Sequence, residues 1–365
     1  MRKIIFIQPA LPRYRIDFFN RLSKRYGENL EVYYSDSSSL KILAQSLTKS
    51  WAIKVGCIKK LPWIGHVEWQ EGVIRIQIHK EDIIVLSGNP RNLSTIALFL
   101  KAKMKGANVV WWGHYWSSTS KRWRQILRFI PMSYADALLF YTDNEVKLFN
   151  NDPIAPNKKQ IVTALNNGID ITQIIHLRDP YNAATRQNAL LFIGRLTKKS
   201  RLDIAISAMY RNSGNAPILH VIGSGPEEDK LKSLTHELGL TNSVIWHGPL
   251  INEEDISIIA NQCKAFIYPG DVGLSLIHMM AYGLPAILHD QEKHHMPEIA
   301  AFDNKETGVT FKFDNISSLA FIIQNLLASQ TELNSMSNSC IEKTSNSFNT
   351  ENMAIRFINL IDKIN

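Results

Sequence analysis

The sequence lacks several features that would define a class of protein. It contains no run of about 18 apolar residues, so we expect no helix that spans a membrane. The apolar stretch near its start is only about six residues long and is followed by Arg13 and Arg15, which indicates a buried first strand and not the core of a signal peptide. Its three cysteines, Cys57, Cys263 and Cys340, lie far apart and follow no metal-binding spacing. We therefore expect a protein of the reducing cytosol without a structural zinc site.

Acidic residues are scarce in the first half of the chain. Residues 1–165 contain 25 Lys and Arg against 12 Asp and Glu, a net charge of +13, whereas residues 166–365 contain 16 against 21, a net charge of −5. A basic half predicts an anionic partner such as a membrane surface, a phosphorylated lipid or a nucleic acid, although it also fits an ordinary soluble surface. We expect no nucleic-acid partner, because no familiar nucleic-acid-binding motif is present.

Short apolar strands alternate with amphipathic helices along the 365 residues. This pattern is typical of parallel sheets covered by helices on both faces, so the predicted fold class is α/β with two Rossmann-like domains. A polar stretch at residues 170–188 separates two such blocks. We place the first domain at residues 1–168 and the second at residues 169–345, followed by a C-terminal helix at residues 346–365 that could cross back to the first domain. Ligands of such sheets lie beyond the carboxyl ends of the strands.

The segment "YPGDVGLSLIHMMAYGLPAIL" begins at the end of a predicted strand and contains a short helix. Gly270 and Gly273 would permit backbone angles that other residues avoid, and Ser275 would lie near the helix start. Gly283 and Pro285 would end the helix. The free backbone N–H groups and the positive end of such a helix predict an anion-binding site, although a simple tight turn would also use these glycines.

Cations follow another predicted strand in "FIGRLTKKSRLD". Gly194 and Arg195 come directly after the strand, with Lys198, Lys199 and Arg201 close behind. Cations at the carboxyl end of a strand would neutralise a diphosphate, and Arg can bind two oxygens at once. An exposed basic loop is the alternative.

Two further loops follow predicted strands. In "HVIGSGPEEDKL", Gly223 and Gly225 form a turn and Pro226 is expected at the first helical position. Glu228 stands where the dinucleotide fingerprint requires its third glycine, so NAD binding is disfavoured. In "HHMPEIAAF", Glu298 would accept hydrogen bonds from sugar hydroxyls, or it is simply an acid at a helix start.

In this order, the motifs "FIGRL", "HVIGSGPEEDKL", "VIWHGPL", "FIYPGDVGLSLIHMMAYGLPAI" and "PE" resemble the nucleotide-binding domain of family 4 glycosyltransferases. The resemblance covers roughly residues 188–330 and is looser elsewhere. It implies the GT-B fold, in which two Rossmann-like domains face each other across a cleft, a nucleotide-sugar substrate, and retention of configuration. Because the sequence shows no cluster of metal-binding residues, we also expect no metal cofactor. "ALNNGID", which contains Asn167, is similar to the loop that enters the second domain. "WWGHYW" is similar to the loop that carries a histidine, here His114, beside the donor sugar.

The resemblance also implies roles for single residues. Arg195, aided by Lys199, would bind the diphosphate and support catalysis, and Glu298 and His114 would lie close to the sugar. The remaining donor-binding positions are Gly194, Gly223, Gly270, Asp271, Gly273, Leu274, Ser275, His278 and Asn167. Of these, Gly273, Leu274 and Ser275 would offer backbone N–H groups to the distal phosphate.

The chain departs from the family at two motifs. The two glutamates that the family separates by seven residues fall on Gly270 and His278, and we expect Asp271 and His278 to take over their contacts with the sugar and the ribose. The lysine expected five residues after Arg195 falls on Ser200, which leaves Lys199 or Arg201 in its place. We interpret the chain as a branch of the family with a modified motif.

The first half carries candidates for the acceptor and the membrane. Arg13, Tyr14 and Arg15 follow the first strand and Arg91 follows another, so these residues would bind the acceptor or its diphosphate; solvated loops are the alternative. The segment 116–132 mixes cations with Trp, as interfacial membrane segments do, although a surface helix with aromatics packed inward fits as well.

The sequence thus predicts a hexosyltransferase of bacterial cell-surface polysaccharide biosynthesis, of the O-antigen or capsule type. A UDP-sugar is our first choice of donor, and GDP- or dTDP-sugars are the alternatives. The acceptor would be a lipid-linked glycan. The protein would be cytoplasmic and peripheral at the inner face of the membrane. A GT-B sugar-nucleotide epimerase and a non-catalytic nucleotide-sugar-binding module are the two other interpretations.

Overall fold

The structure is a computed structural model that describes residues 2–35, 49–61, 67–115, 122–156, 160–211, 214 and 216–364, with the side chains of residues 122–127 excepted. It contains two compact units. The first comprises Met1–Asn167 and Thr350–Asn365, and the second comprises Gly168–Asn349.

Most of the strands are short and apolar. In chain order they are β1 (Ile4–Gln8), β2 (Leu30–Tyr34), β3 (Ala52–Lys54), β4 (Ile58–Lys60), β5 (Glu68–Gln70), β6 (Ile83–Ser87), β7 (Asn108–Trp112), β8 (Ala137–Phe140), β9 (Ile161–Ala164), β10 (Ala189–Ile193), β11 (Ile218–Ile222), β12 (Val244–Gly248), β13 (Ala265–Tyr268), β14 (Ala286–His289) and β15 (Gly308–Phe311). Strands β4 and β5 are the clearest polar exceptions.

Helices connect most of these strands. In chain order they are α1 (Ile16–Tyr26), α2 (Leu93–Met104), α3 (Arg122–Tyr134), α4 (Asp143–Asn151), α5 (Thr172–Leu177), α6 (Leu202–Arg211), α7 (Glu228–Glu237), α8 (Glu253–Ala260), α9 (Leu274–Ala281), α10 (Ile316–Ala328), α11 (Gln330–Asn346) and α12 (Thr350–Lys363). Helix α7 begins two residues after Pro226, so the prediction that Pro226 is the first helical residue is wrong. Pro226 and Glu227 instead form the turn before the helix, which the N–H of Glu228 closes by donating to the Gly225 carbonyl at 3.1 Å.

Among the described residues, the main sheet of the first unit has the strand order β3-β2-β1-β6-β7-β8-β9, and neighbouring strands pair in parallel. Alternate residues of β1 enter two different apolar clusters, one on each face: Ile4 and Phe6 on one side, Ile5 and Ile7 on the other. A strand buried on both faces needs a continuous apolar sequence, which explains "IIFI". Strands β4 and β5 form a separate antiparallel pair.

The last helix, α12, belongs to the core of the first unit. The Phe357 ring lies 5.0 Å from the ring of Phe6, centroid to centroid. Arg356 binds both carboxylate oxygens of Asp143 at 2.8 and 3.0 Å.

The sheet of the second unit has the order β12-β11-β10-β13-β14-β15, again with parallel pairings. Leu190 and Phe192 of β10 enter one apolar cluster, and Leu191 enters the cluster on the opposite face. Each unit is therefore a doubly wound α/β layer structure, which confirms the predicted fold class of two Rossmann-like domains. Within the described part of the chain, no helix is both long and apolar enough to cross a membrane.

Candidate functional site

The order of strands identifies where a ligand would lie in the second unit. From β10 the chain proceeds to β11 and β12 on one side of the sheet, and then returns to β13, β14 and β15 on the other. The strand order therefore reverses between β10 and β13. In open parallel sheets, ligands bind outside the carboxyl ends of the strands at such a reversal. The two loops that border it contain Gly194–Ser200 and Pro269–Gly273.

Backbone packs directly on backbone between these loops. A Cβ atom on Gly270 would lie 1.8 Å from the carbonyl oxygen of Lys199, and one on Gly223 would lie 1.9 Å from the carbonyl oxygen of Gly194. The neighbouring N–H of Asp271 donates a hydrogen bond to the same Lys199 oxygen at 3.2 Å. Gly270 does not adopt a positive φ, so the prediction of an unusual backbone angle is wrong for this residue. Gly273 has φ −133° and ψ −132°, which lie outside the main allowed regions, as predicted. Gly270 is instead required because no side chain fits between the two loops.

Helix α9 begins directly after this packing, at Leu274. No side chain caps the helix, and no described residue accepts a hydrogen bond from the backbone N–H of Leu274 or Ser275. These groups and the positive helix end remain available to an anion. Glu298 also lies here: its Oε2 is 3.8 Å from the position of a Cβ on Gly273, and the side chain is buried. Glu298 lies in the first turn of the 3₁₀ helix Pro297–Ala301. It is thus a close neighbour of Asp271 and of the start of α9.

The cations of the neighbouring loop differ in their pairing. Arg195 follows β10 immediately and is exposed, and no described residue forms an ion pair with it. Lys198 and Lys199 are also exposed, in the 3₁₀ turn Lys198–Ser200. Arg201 is occupied by Asp314, whose Oδ1 lies 2.6 Å from its guanidinium. Of the two stand-ins expected for the family lysine, Lys199 is therefore the one left available.

His278 has a partner that the sequence did not reveal. Its Nε2 lies 2.7 Å from Oε1 of Glu253, the first residue of α8, and Tyr282 donates its hydroxyl to the same oxygen at 2.7 Å. Glu253 thus already occupies Nε2 of His278. A ribose that contacts His278 would therefore meet a histidine paired with a carboxylate. From the sequence, Glu253 is indistinguishable from the ordinary acids of a helix start, since it stands in "NEED".

Two buried histidines lie behind the loop that precedes α9. The His295 ring accepts a hydrogen bond from the backbone N–H of Val272 at Nδ1 (3.1 Å) and donates from Nε2 to the carbonyl of His289 (3.1 Å). The rings of His289 and His295 stack with centroids 3.8 Å apart. Burial lowers the pKa of His289 to about 3 and also lowers the pKa of His295, so both rings are neutral near pH 7.

The first unit has its own cluster at the carboxyl ends of its strands. Arg15 is buried, and its guanidinium lies 4.2 Å from the ring centroid of Trp112 and 5.7 Å from that of Tyr141. No described residue accepts a hydrogen bond from its Nη1. A buried guanidinium held by aromatic faces is stabilised by cation–π attraction and keeps its donors for a further partner. Arg13 and Tyr14 are exposed beside it.

His114 lies in the same cluster. Its ring packs on Tyr141 at 4.4 Å between centroids, and its Nδ1 is 3.3 Å from Oε1 of Glu145. Glu145 is buried and also accepts hydrogen bonds from the backbone N–H groups of Tyr115 and Tyr141 at 3.1 and 3.0 Å. The carboxylate therefore fixes both the orientation of the ring and the Nδ1–H tautomer. Sequence reasoning missed Glu145, which stands 31 residues after His114.

The remaining predicted residues of the first unit are more scattered. Asn167 is buried, belongs to the first unit, and its backbone N–H donates to the Tyr141 carbonyl at 3.0 Å. Arg91 is exposed in the loop after β6. Burial and the charge of Arg91 both lower the pKa of Arg128, whose Nη1 donates to the His114 carbonyl at 3.4 Å.

The predicted membrane segment falls mostly outside the described residues. Residues 116–121 are not described, and of residues 122–127 only the helical backbone in α3 is. The hypothesis about the cations and tryptophans of this segment stays a prediction.

Comparisons with known proteins agree with this architecture. Residues 174–345 match the family model described as glycosyl transferases group 1. The chain is 23% identical over 155 residues to the uncharacterized glycosyltransferase MJ1607 of Methanocaldococcus jannaschii; the match covers 40% of this chain and 39% of that relative.

Among solved structures, HepE of Anabaena in complex with UDP is similar over 100% of both chains, with a TM-score of 0.72 and 14% identity. The lipopolysaccharide outer core galactosyltransferase WaaB is similar over 99% of both chains, with a TM-score of 0.68 and 16% identity. At these identities the likeness establishes the fold. Residues 174–345 of the second unit therefore match glycosyl transferases group 1, in a chain that has the fold of the GT-B glycosyltransferases.

Proposed function

We propose that this protein is a retaining glycosyltransferase of family 4 that transfers a hexosyl group from a nucleotide sugar to a hydroxyl of a lipid-linked glycan. The proposal rests on two anion-binding features of the second unit. Arg195 is exposed and forms no ion pair with any residue that the structure describes, and no side chain of a described residue caps the start of α9. Both lie at the carboxyl ends of the two strands between which the sheet reverses. The pathway we propose is the synthesis of a bacterial cell-surface polysaccharide.

The chemistry requires stabilisation of a departing diphosphate. As the bond between the anomeric carbon and the phosphate oxygen breaks, negative charge grows on that oxygen. Arg195, Lys199 and the backbone N–H groups of Leu274 and Ser275 would stabilise this charge without a metal ion. Turnover is accordingly expected to be unchanged by EDTA. Retention would follow from attack on the face that the phosphate leaves, and His114 would orient the donor sugar.

UDP is the first choice of nucleotide. Structures of HepE contain UDP and UDP-glucose, and HepE shares the fold of this chain. The test is thermal unfolding with UDP, GDP, dTDP and CMP and their sugars, because a ligand that binds only the folded state raises its stability by mass action. At one hundred times its Kd, a ligand contributes about 2.7 kcal/mol. If none of these nucleotides raises the Tm, the proposed donor site is refuted.

Product analysis then separates the proposed transferase from its two rivals. A transferase releases the nucleoside diphosphate only when an acceptor is supplied as a cell-envelope lipid extract. An epimerase changes the sugar of the donor without any acceptor. A binding module binds the nucleotide sugar and leaves it intact under both conditions.

We further propose that the first unit binds an anionic membrane surface, which would bring the enzyme to a lipid-linked acceptor. Besides its charge, the unit exposes apolar side chains one turn apart on two helices: Leu100 and Met104 on α2, and Ile130 and Tyr134 on α3. Met104 is 82% exposed. Cations beside exposed apolar side chains are typical of interfacial binding.

Liposome flotation tests this surface. We expect binding to vesicles that contain phosphatidylglycerol and little binding to pure phosphatidylcholine. Met104→Glu combined with Leu100→Glu should weaken binding, whereas Ile258→Glu, at an exposed position of the second unit, is the matched control. Equal binding to both kinds of vesicle would contradict the proposal.

A further inference from the structure

The His295 side chain links the loop between β13 and α9 to the end of β14. His295 uses both ring nitrogens on backbone atoms: Nδ1 accepts from the Val272 N–H, and Nε2 donates to the His289 carbonyl. The first of these atoms belongs to the loop before α9 and the second to the end of β14. His295 therefore fixes the position of Val272, and with it that of the neighbouring Asp271.

His289 differs from His295 because one of its nitrogens is unused. Its Nδ1 accepts a hydrogen bond from the backbone N–H of Gln291 at 3.2 Å, so in the neutral ring the hydrogen resides on Nε2. That Nε2–H is buried and has no hydrogen-bond partner among the described residues. The His289 ring lies between the stacked His295 ring at 3.8 Å and the Phe313 ring, which packs edge to face at 4.9 Å. His294 lies 6.1 Å away, and the charges of Asp290 and Arg201 also act on the ring. A buried donor without an acceptor is uncommon in folded proteins and suggests a partner that is acquired later.

The nearest acidic side chain is Asp271. Its Oδ1 lies 3.8 Å from the Nε2 of His289, which is too long for a hydrogen bond and short enough to be closed by a small movement of the carboxylate. About one third of the Asp271 side chain is exposed, and its backbone N–H is fixed to the Lys199 carbonyl. Asp271 thus lies between the buried histidine and the open edge of the sheet at the strand reversal.

We propose that His289 is a positioning residue for Asp271. When a nucleotide sugar binds, Nε2–H of His289 donates to one carboxylate oxygen of Asp271, and the other oxygen accepts hydrogen bonds from hydroxyls of the transferred sugar. Sugar hydroxyls donate strong hydrogen bonds to a carboxylate. Because the Nε2–H donor is neutral, it orients the carboxylate without neutralising its charge. The assignment rests on the proposed function, because it requires that the sugar of the donor lies beside Asp271.

Two substitutions of His289 separate this role from a structural one. His289→Gln and His289→Phe both remove the acceptor used by Gln291, but only Gln retains an N–H donor near the position of Nε2. We expect His289→Phe to weaken UDP-glucose binding at least tenfold and His289→Gln to stay within about threefold of the wild type. UDP binding should be equal in all three proteins, because UDP has no sugar next to Asp271. The Tm of ligand-free His289→Phe should be no lower than that of His289→Gln, since the lost donor has no partner in the free protein.

Isothermal titration with UDP and with UDP-glucose measures these differences. The assignment is overturned if His289→Phe loses affinity for UDP and for UDP-glucose to the same extent. It is also overturned if His289→Phe binds both ligands as tightly as the wild type does. In an Asp271→Asn background, His289→Phe should cause less than a twofold further loss, and a full tenfold loss there would also overturn it. A wild-type chain that binds neither UDP nor UDP-glucose would instead overturn the proposed donor, and the assignment with it.

Discussion

Replacing Gly270 by a residue with a side chain should damage the second unit. A Cβ at this position would lie 1.8 Å from the Lys199 carbonyl oxygen and 2.8 Å from its carbonyl carbon. Both atoms belong to the backbone, so no side-chain rotation relieves the clash. Inserting atoms into a packed site costs about 1–3 kcal/mol, and we expect the upper end here. For a unit of this size, about 3 kcal/mol corresponds to a decrease in Tm of roughly 6–12 °C.

Thermal and urea unfolding of Gly270→Ala measure this effect, with Gly214→Ala as the control. Among the described residues, no heavy atom lies within 4 Å of the position of a Cβ on Gly214, so the control should stay within about 0.5 kcal/mol of the wild type. Gly270→Glu introduces the glutamate that the resemblance to family 4 predicts at this position, and we expect it to be as unstable as Gly270→Ala. If Gly270→Ala is as stable as the control, the close approach of the two loops is refuted.

Three further predictions concern charges and buried polar groups. Arg195→Ala should leave the Tm unchanged, because no described residue pairs with Arg195, and should lower kcat/KM at least tenfold, since one charge-assisted contact exceeds about 1.4 kcal/mol; wild-type kinetics would remove Arg195 from the mechanism. The folded-state pKa of His289 is about 3, below the unfolded value of about 6.5, so its contribution to stability is complete above pH 6.5 and is lost as pH falls toward 3. Urea unfolding between pH 7.5 and 5 should therefore show a loss of up to about 1.4 kcal/mol per pH unit from this residue, and His289→Phe should reduce that slope. Glu145→Gln should destabilise the first unit by about 1–3 kcal/mol, because an amide nitrogen would face the backbone N–H of Tyr115 or Tyr141; an unchanged Tm would contradict the hydrogen bonds assigned to Glu145.

The sequence was sufficient to predict the fold class, because the signal is local. Strands such as "ALLFI" are buried on both faces and therefore apolar throughout, and the alternation of strands with helices implies parallel pairing. The same logic placed Arg195 and the start of α9 beyond the carboxyl ends of strands. Their roles in binding remain predictions.

The parts that the sequence could not reveal depend on contacts between distant segments. Glu253 meets His278 across 25 residues and His295 meets Val272 across 23, and neither pair follows a spacing that marks a contact. The prediction for Gly270 failed for the same reason. A glycine required by its own φ and a glycine required by a neighbouring backbone look identical in a sequence.

The position of α12 has a consequence for biosynthesis. Ribosomes release the strands of the first unit early, yet Phe357, which packs on Phe6, is made roughly 200 residues after β9, the last of those strands. At ordinary translation rates this delay is about 10–40 s. The second unit is continuous in the chain and can complete its core first. Until α12 is made, the aromatic surface around Phe6 on the nascent N-terminal half stays exposed. We therefore expect chaperones to bind this half, and to dissociate once α12 has left the exit tunnel.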